Sequence, residues 1–130
     1  MKKIFPFFLV LICLVSFALG YAVVSVDKNC TAIANFVYAD KSISEEISKD
    51  DLEIIDGIFS GKIVNPFVLP ACGFDDNISI VADGKTFCPA NNDCGIVYYK
   101  ERKGYIYLDD NEQTQLRALL EKYGFEFPYV

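Results

Sequence analysis

The chain opens on a long apolar run and then changes to shorter stretches of helical and strand period. Residues 4 to 19 carry no charge and are broken only by Pro6 and Ser16, with Lys2 and Lys3 ahead of them. Ala18 and Gly20 place small residues before a cut after Gly20, and Gly20 and Ala22 do the same for a cut after Ala22. A basic start, an apolar middle and a small-residue exit are the anatomy of a secretory signal. The domains expected are therefore a signal peptide over 1–20 and a single α+β domain over 21–130. The competing reading is an uncleaved anchor, because residues 4 to 26 are uncharged and long enough to span a bilayer.

Residues 31 to 38 are apolar enough for a strand or a buried turn of helix, and the pattern leaves that choice open. Ser48 followed by Asp51 suits a helix start, and Leu52, Ile55, Ile58 and Phe59 recur at helical spacing before Gly61. A helix is expected over about 49–60, with residues 43 to 47 as an additional preceding turn. Pro66, Pro70 and Gly73 mark a loop. Asp83-Gly84 between two apolar runs predicts a hairpin with a type I′ turn and Ile80 opposite Phe87. A second hairpin is expected from residues 96 to 100 and 105 to 108, with Gly104 in the left-handed position of the turn. That register pairs Tyr99 with Tyr107. It puts Ile96, Tyr98, Ile106 and Leu108 on one face and Val97, Tyr99, Tyr105 and Tyr107 on the other. Asp109 and Glu112 form a capping-box pattern ahead of Leu116, Leu119, Leu120 and Tyr123, so a final helix runs over about 110–123 and stops at Gly124. Phe125, Phe127 and Tyr129 alternate beyond it. The expected fold class is thus α+β: a four-stranded antiparallel meander over about 77–108 with both helices packed on one face.

Composition sharpens this picture. Loss of residues 1–20 removes Lys2 and Lys3 and leaves 10 basic against 18 acidic residues, a net charge of −8. Such a surface repels nucleic acid and anionic lipid, and a charged partner would be basic. Cys13 departs with the signal. Cys30, Cys72, Cys88 and Cys94 remain, an even number suited to an oxidising compartment. They allow three pairings. Loop length favours Cys88–Cys94 as a local staple and Cys30–Cys72 as the long bridge, but spacing does not choose among the three. Zinc is disfavoured, since the chain has no CxxC pair and no histidine.

The absence of histidine also removes the Ser/His/Asp triad, the Cys/His dyad and HExxH metal chemistry. No phosphate-binding glycine loop occurs. Asp50-Asp51, Asp75-Asp76 and Asp109-Asp110 could supply paired carboxylates, yet each has a use at a turn or helix start. Asn91-Asn92-Asp93 is oxygen-rich but lacks calcium-loop spacing. Asn29-Cys30-Thr31 and Asn77-Ile78-Ser79 match the glycosylation sequon and read best as coincidence. No catalytic residue, metal or cofactor is therefore expected. The feature that stands out is aromatic: Val97, Tyr99, Tyr105 and Tyr107 on one sheet face would form a rigid amphipathic binding patch, unless another segment covers it.

Residues 72 to 130 resemble the C-terminal part of small exported bacterial proteins that carry no known activity. The residues that carry the likeness are Cys72-Gly73-Phe74, Phe87-Cys88 with Cys94, and Lys122-Tyr123-Gly124-Phe125-Glu126-Phe127-Pro128. The resemblance implies a bacterial host and transfers no catalytic or ligand residue. The function expected is that of a secreted or envelope binding protein without catalytic activity, neutralising a basic partner protein. The alternatives are a small-molecule or glycan binder using the tyrosine face, and a membrane-tethered structural protein if residues 4–26 are retained.

Overall fold

The computed structural model describes residues 4–18, 22–27, 29–38, 40–67, 73–75, 77–90 and 94–126. The elements in chain order are α1 (Ile4–Ala18), β1 (Ala22–Val23), β2 (Ala32–Tyr38), β3 (Lys41–Glu46), α2 (Lys49–Phe59), β4 (Ile63–Val64), β5 (Ile78–Ala82), β6 (Lys85–Pro89), β7 (Ile96–Tyr99), a 3-10 turn (Lys100–Arg102), β8 (Gly104–Tyr107) and α3 (Asp110–Lys122). The apolar run at the start forms α1, and among the described residues no helix is long and apolar enough to cross a membrane.

The α+β class holds, but the main sheet has six strands, in the order β3-β2-β5-β6-β7-β8, and every pairing is antiparallel. The expected meander is its β5-to-β8 portion. The β2–β3 hairpin adds to the free side of β5, with Ala34 opposite Ile80 and Phe36 opposite Ile78. Residues 43 to 46 are thus strand rather than helical turn. Their lone apolar residue, Ile43, faces inward opposite Phe36, between exposed Ser42 and Ser44. On β2 the inward set is Ala32, Ala34 and Phe36, while Ile33 and Val37 point out. Apolar residues on both faces hid that alternation. A separate two-stranded ribbon pairs β1 with β4, and Asn65 continues it by bridging to Tyr105 of β8.

The core lies between the inner sheet face and the apolar stripes of α2 and α3. Leu52, Ile55, Ile58 and Phe59 from α2 and Leu116, Leu119 and Leu120 from α3 are all buried there. Phe59 stacks on Phe87 with ring centroids 4.5 Å apart, and Phe87 lies 5.2 Å from Tyr99. Beyond α3, Phe125 is buried 5.1 Å from Phe36; the rest of the aromatic tail, with Phe127 and Tyr129, falls outside the described residues.

Local signals explain these ends. Ser48 caps α2 by accepting from the Asp51 amide at 3.3 Å. The Asp109/Glu112 capping box is fully formed, with bonds of 2.7 and 3.1 Å. Asp83 and Gly84 take φ of 53° and 72°, as a type I′ turn demands, and Ile80 does oppose Phe87.

The second hairpin departs from expectation by three residues. Tyr99 pairs with Gly104 and Tyr98 with Tyr105, so Val97 opposes Ile106. Lys103, not Gly104, takes the left-handed position, at φ 51°. Gly104 serves a different need: a Cβ there would collide with Val64 Cγ1 and sit 3.1 Å from the Asn65 carbonyl oxygen. Register follows the apolar pattern. The observed pairing buries Ile106 beside Val97; the expected one would have set the two on opposite faces of the sheet.

Among the described cysteines, Cys30 carries a free thiol, Cys88 is fully buried on β6 and Cys94 is disulfide-bonded. No disulfide joins two of them, so neither the Cys88–Cys94 staple nor a bridge from Cys30 is formed; Cys72 lies outside the described residues.

Candidate functional site

The register decides where the tyrosines go. Val97, 1% exposed, and Tyr99, 6% exposed, point inward beneath the helices and belong to the core. Burial, with the Glu101 carboxylate nearby, pushes the Tyr99 hydroxyl above the ordinary tyrosine range. Tyr105 and Tyr107 face the other way. The expected quartet is therefore split in two, and the structure puts Tyr98 and Ile96 on the outer face in place of Tyr99 and Val97.

That outer face is aromatic all the same. Tyr98 and Tyr105 are cross-strand partners with ring centroids 5.4 Å apart. Phe74, from the loop before β5, packs on both, 6.1 Å from Tyr98 and 5.5 Å from Tyr105. All three are half-buried, and their tilted arrangement suits aromatic pairs. The neighbouring row is more open. Tyr107 opposes Ile96 and is 44% exposed.

The small ribbon extends this surface. Asn65 and Tyr105 exchange backbone hydrogen bonds of 2.9 and 3.0 Å. Two residues from each, Ile63 and Tyr107 fall on the same face as the bridge, because side chains alternate along a strand. Val23 pairs with Ile63, and the two are 69% and 60% exposed. Phe67, two residues past Asn65, is also exposed. Val23, Ile63, Tyr107 and Ile96 thus form an apolar row beside the Phe74–Tyr98–Tyr105 cluster. Sequence reasoning missed Val23 and Ile63 because each ribbon strand is two residues long. Taking Gly104 as the turn residue sets Tyr98 and Tyr105 on opposite faces; its place against Val64 makes them partners.

Several of the carboxylates hold structural bonds. Asp51, 4% exposed, accepts from Tyr123 Oη at 2.6 Å, Ser48 Oγ at 3.0 Å and Lys122 Nζ at 2.7 Å. Tyr123 Oη in turn accepts from the Ser48 amide at 2.9 Å. This clasp ties the start of α2 to the end of α3. Burial alone would raise the Asp51 pKa, but the hydrogen bonds from Lys122, Tyr123 and Ser48 outweigh it and hold the group below the usual carboxylate range. The same bond raises the pKa of Lys122. Asp75 Oδ1 accepts from the Asn77 amide at 2.8 Å and Asp27 Oδ1 from the Asn29 amide at 2.9 Å, so both sequon asparagines sit in turns. Residues 91 to 93 lie outside the described residues. Among those described, no group of three or more Cys, Asp or Glu is placed to hold a metal ion. A small recess lined by Ala90, Leu108, Gln113 and Arg117 holds about 10 Å³, roughly room for one water.

No family, curated protein or solved structure matches the chain.

Proposed function

We propose that this chain is an exported, non-catalytic binding protein that takes a protein partner on the outer face of its sheet. The observation that carries the reading is the apolar row of Val23, Ile63 and Tyr107 beside the Phe74–Tyr98–Tyr105 cluster. Interfaces favour such surfaces, because rigid rings contribute area at little entropic cost while the hydroxyls keep their hydrogen bonds. With net charge −8 after loss of residues 1–20, the partner is basic, of the kind a neutralising protein would hold: a toxin or a lytic enzyme.

The test is affinity capture from the envelope and culture fluid at low salt, run in parallel with Ile63→Lys and Tyr107→Glu. The expected result is a defined basic protein that the native chain retains and both variants lose. Recovery of the bare chain alone, or capture indifferent to both substitutions, would overturn it. A glycan and small-molecule thermal-shift panel separates the other use of the same rings: stabilisation by a glycan would move the assignment there. N-terminal sequencing of the exported product decides between release and tethering, since a start at Tyr21 or Val23 rules out the anchor.

A further inference from the structure

The opposite edge of the sheet carries a second surface. Among the described residues β3 pairs only with β2, and none of them pairs with its far side, which is an open strand edge within that set. Two hydrogen bonds fix which groups lie on that edge. The Val37 amide donates to the Asn77 carbonyl on the β5 side at 2.8 Å, and the Ile47 amide donates to the Ala32 carbonyl at 2.8 Å. Backbone groups alternate sides along an antiparallel strand. Residues 41, 43 and 45 therefore bond to β2, while the N–H and C=O groups of Ser42, Ser44 and Glu46 point away from it.

Edge strands of soluble proteins carry charge to stop further pairing, because like charges meet when two copies approach. Here the order of charges does the reverse. We infer that β3 pairs antiparallel with β3 of a second copy about a twofold axis through Ile43. In that register Ser42 and Ser44 exchange backbone bonds with Ser44 and Ser42 of the other copy. Ile43 meets Ile43, and Lys41 faces Glu45 on both sides of the axis. Opposite charges directly across an antiparallel pair are favourable and like charges are not. The one like-charge meeting, Asp40 with Glu46, falls beyond the strand, since Asp40 lies in the turn. A symmetric contact needs such a self-complementary patch. Lys41 also bonds Glu126 of its own chain at 3.0 Å, which holds the ammonium on the same side as Ile43. Six residues of edge make a small interface, so the dimer is weak and forms with rising concentration. β3 and β8 close opposite ends of the sheet, so the dimer leaves both aromatic faces open and presents two binding surfaces on one particle.

The experiment is sedimentation velocity over a wide concentration range on the chain expressed in full and purified from the extracytoplasmic fraction. A monomer–dimer equilibrium is expected. Glu45→Lys should weaken it by about tenfold or more, because it sets like charges opposite each other twice. Lys41→Glu combined with Glu45→Lys should restore it. Ser44→Pro should abolish the dimer while leaving the thermal midpoint nearly unchanged, since the lost N–H faces away from β2. A monomer at every concentration would overturn the inference. So would a dimer that Ser44→Pro leaves intact, or one that the double charge swap fails to restore.

Discussion

Replacing Gly104 with alanine probes the hairpin on which the placement of Tyr98, Tyr99, Tyr105 and Tyr107 rests. The added Cβ would collide with Val64 Cγ1 and lie 3.1 and 3.3 Å from the carbonyl oxygen and carbon of Asn65. Val64 is fully buried and Asn65 is bonded to Tyr105 through two backbone hydrogen bonds, so neither can retreat without loosening the β4–β8 junction. Overpacking of a well-filled site costs about 1–3 kcal/mol. Alanine recovers roughly 0.5–1 kcal/mol over glycine in a strand interior. The balance is a destabilisation of about 1–2 kcal/mol, a fall in Tm on the order of 4–10 °C for a domain of this size. The companion change, Lys103→Gly, relieves a left-handed residue at φ 51° and should be neutral or mildly stabilising. Urea and thermal unfolding of both variants give the answer. A neutral or stabilised Gly104→Ala, or a Lys103→Gly that costs more than it, would refute the register.

Three further outcomes follow from the same contacts. Asp51→Asn should cost about 1–3 kcal/mol at neutral pH, the range for loss of charge-assisted bonds in a buried network. Because the folded Asp51 pKa is depressed, its contribution is present above the unfolded value near 3.9 and is lost as pH falls through the folded value; urea unfolding from pH 6 to 2 should show a flatter acid limb in the variant. Asp109→Ala removes the capping box of α3 and should cost about 1 kcal/mol, read as a shift in urea midpoint at constant slope. In an ultraviolet titration, Tyr99→Phe should delete the transition that ionises above the ordinary tyrosine range; since the folded pKa is raised, the Tyr99 contribution to stability is full below the unfolded value and fades as pH rises through the folded one.

Where the sequence carried short-range signals, the fold was legible. Ser48 with Asp51, Asp109 with Glu112, and Asp83-Gly84 each specify a local hydrogen-bond geometry, and the two helices and the first hairpin followed from them. The β2–β3 hairpin was not legible. Ile33 and Val37 on β2 blur its alternation, and β3 offers only Ile43 as an apolar residue, so neither strand announces which side is buried. The second hairpin failed for a reason of distance. Whether Gly104 serves the turn or a close approach depends on Val64, forty residues earlier in the chain, and no local pattern reports that contact. An outward aromatic face could thus be anticipated, with Tyr105 and Tyr107 in it, whereas Tyr99 and Val97 belong to the core. The clasp around Asp51 was half visible: its cap role is local, but Lys122 and Tyr123 arrive from 71 and 72 residues away.

Tyrosine nitration followed by peptide mass spectrometry addresses the central assignment most directly. Under limited reagent, Tyr107 should react first, Tyr98 and Tyr105 more slowly, and Tyr99 only after the domain unfolds. Early modification of Tyr99 with Tyr107 protected would place the opposite face of the hairpin in solvent and contradict the outward placement of Tyr98, Tyr105 and Tyr107.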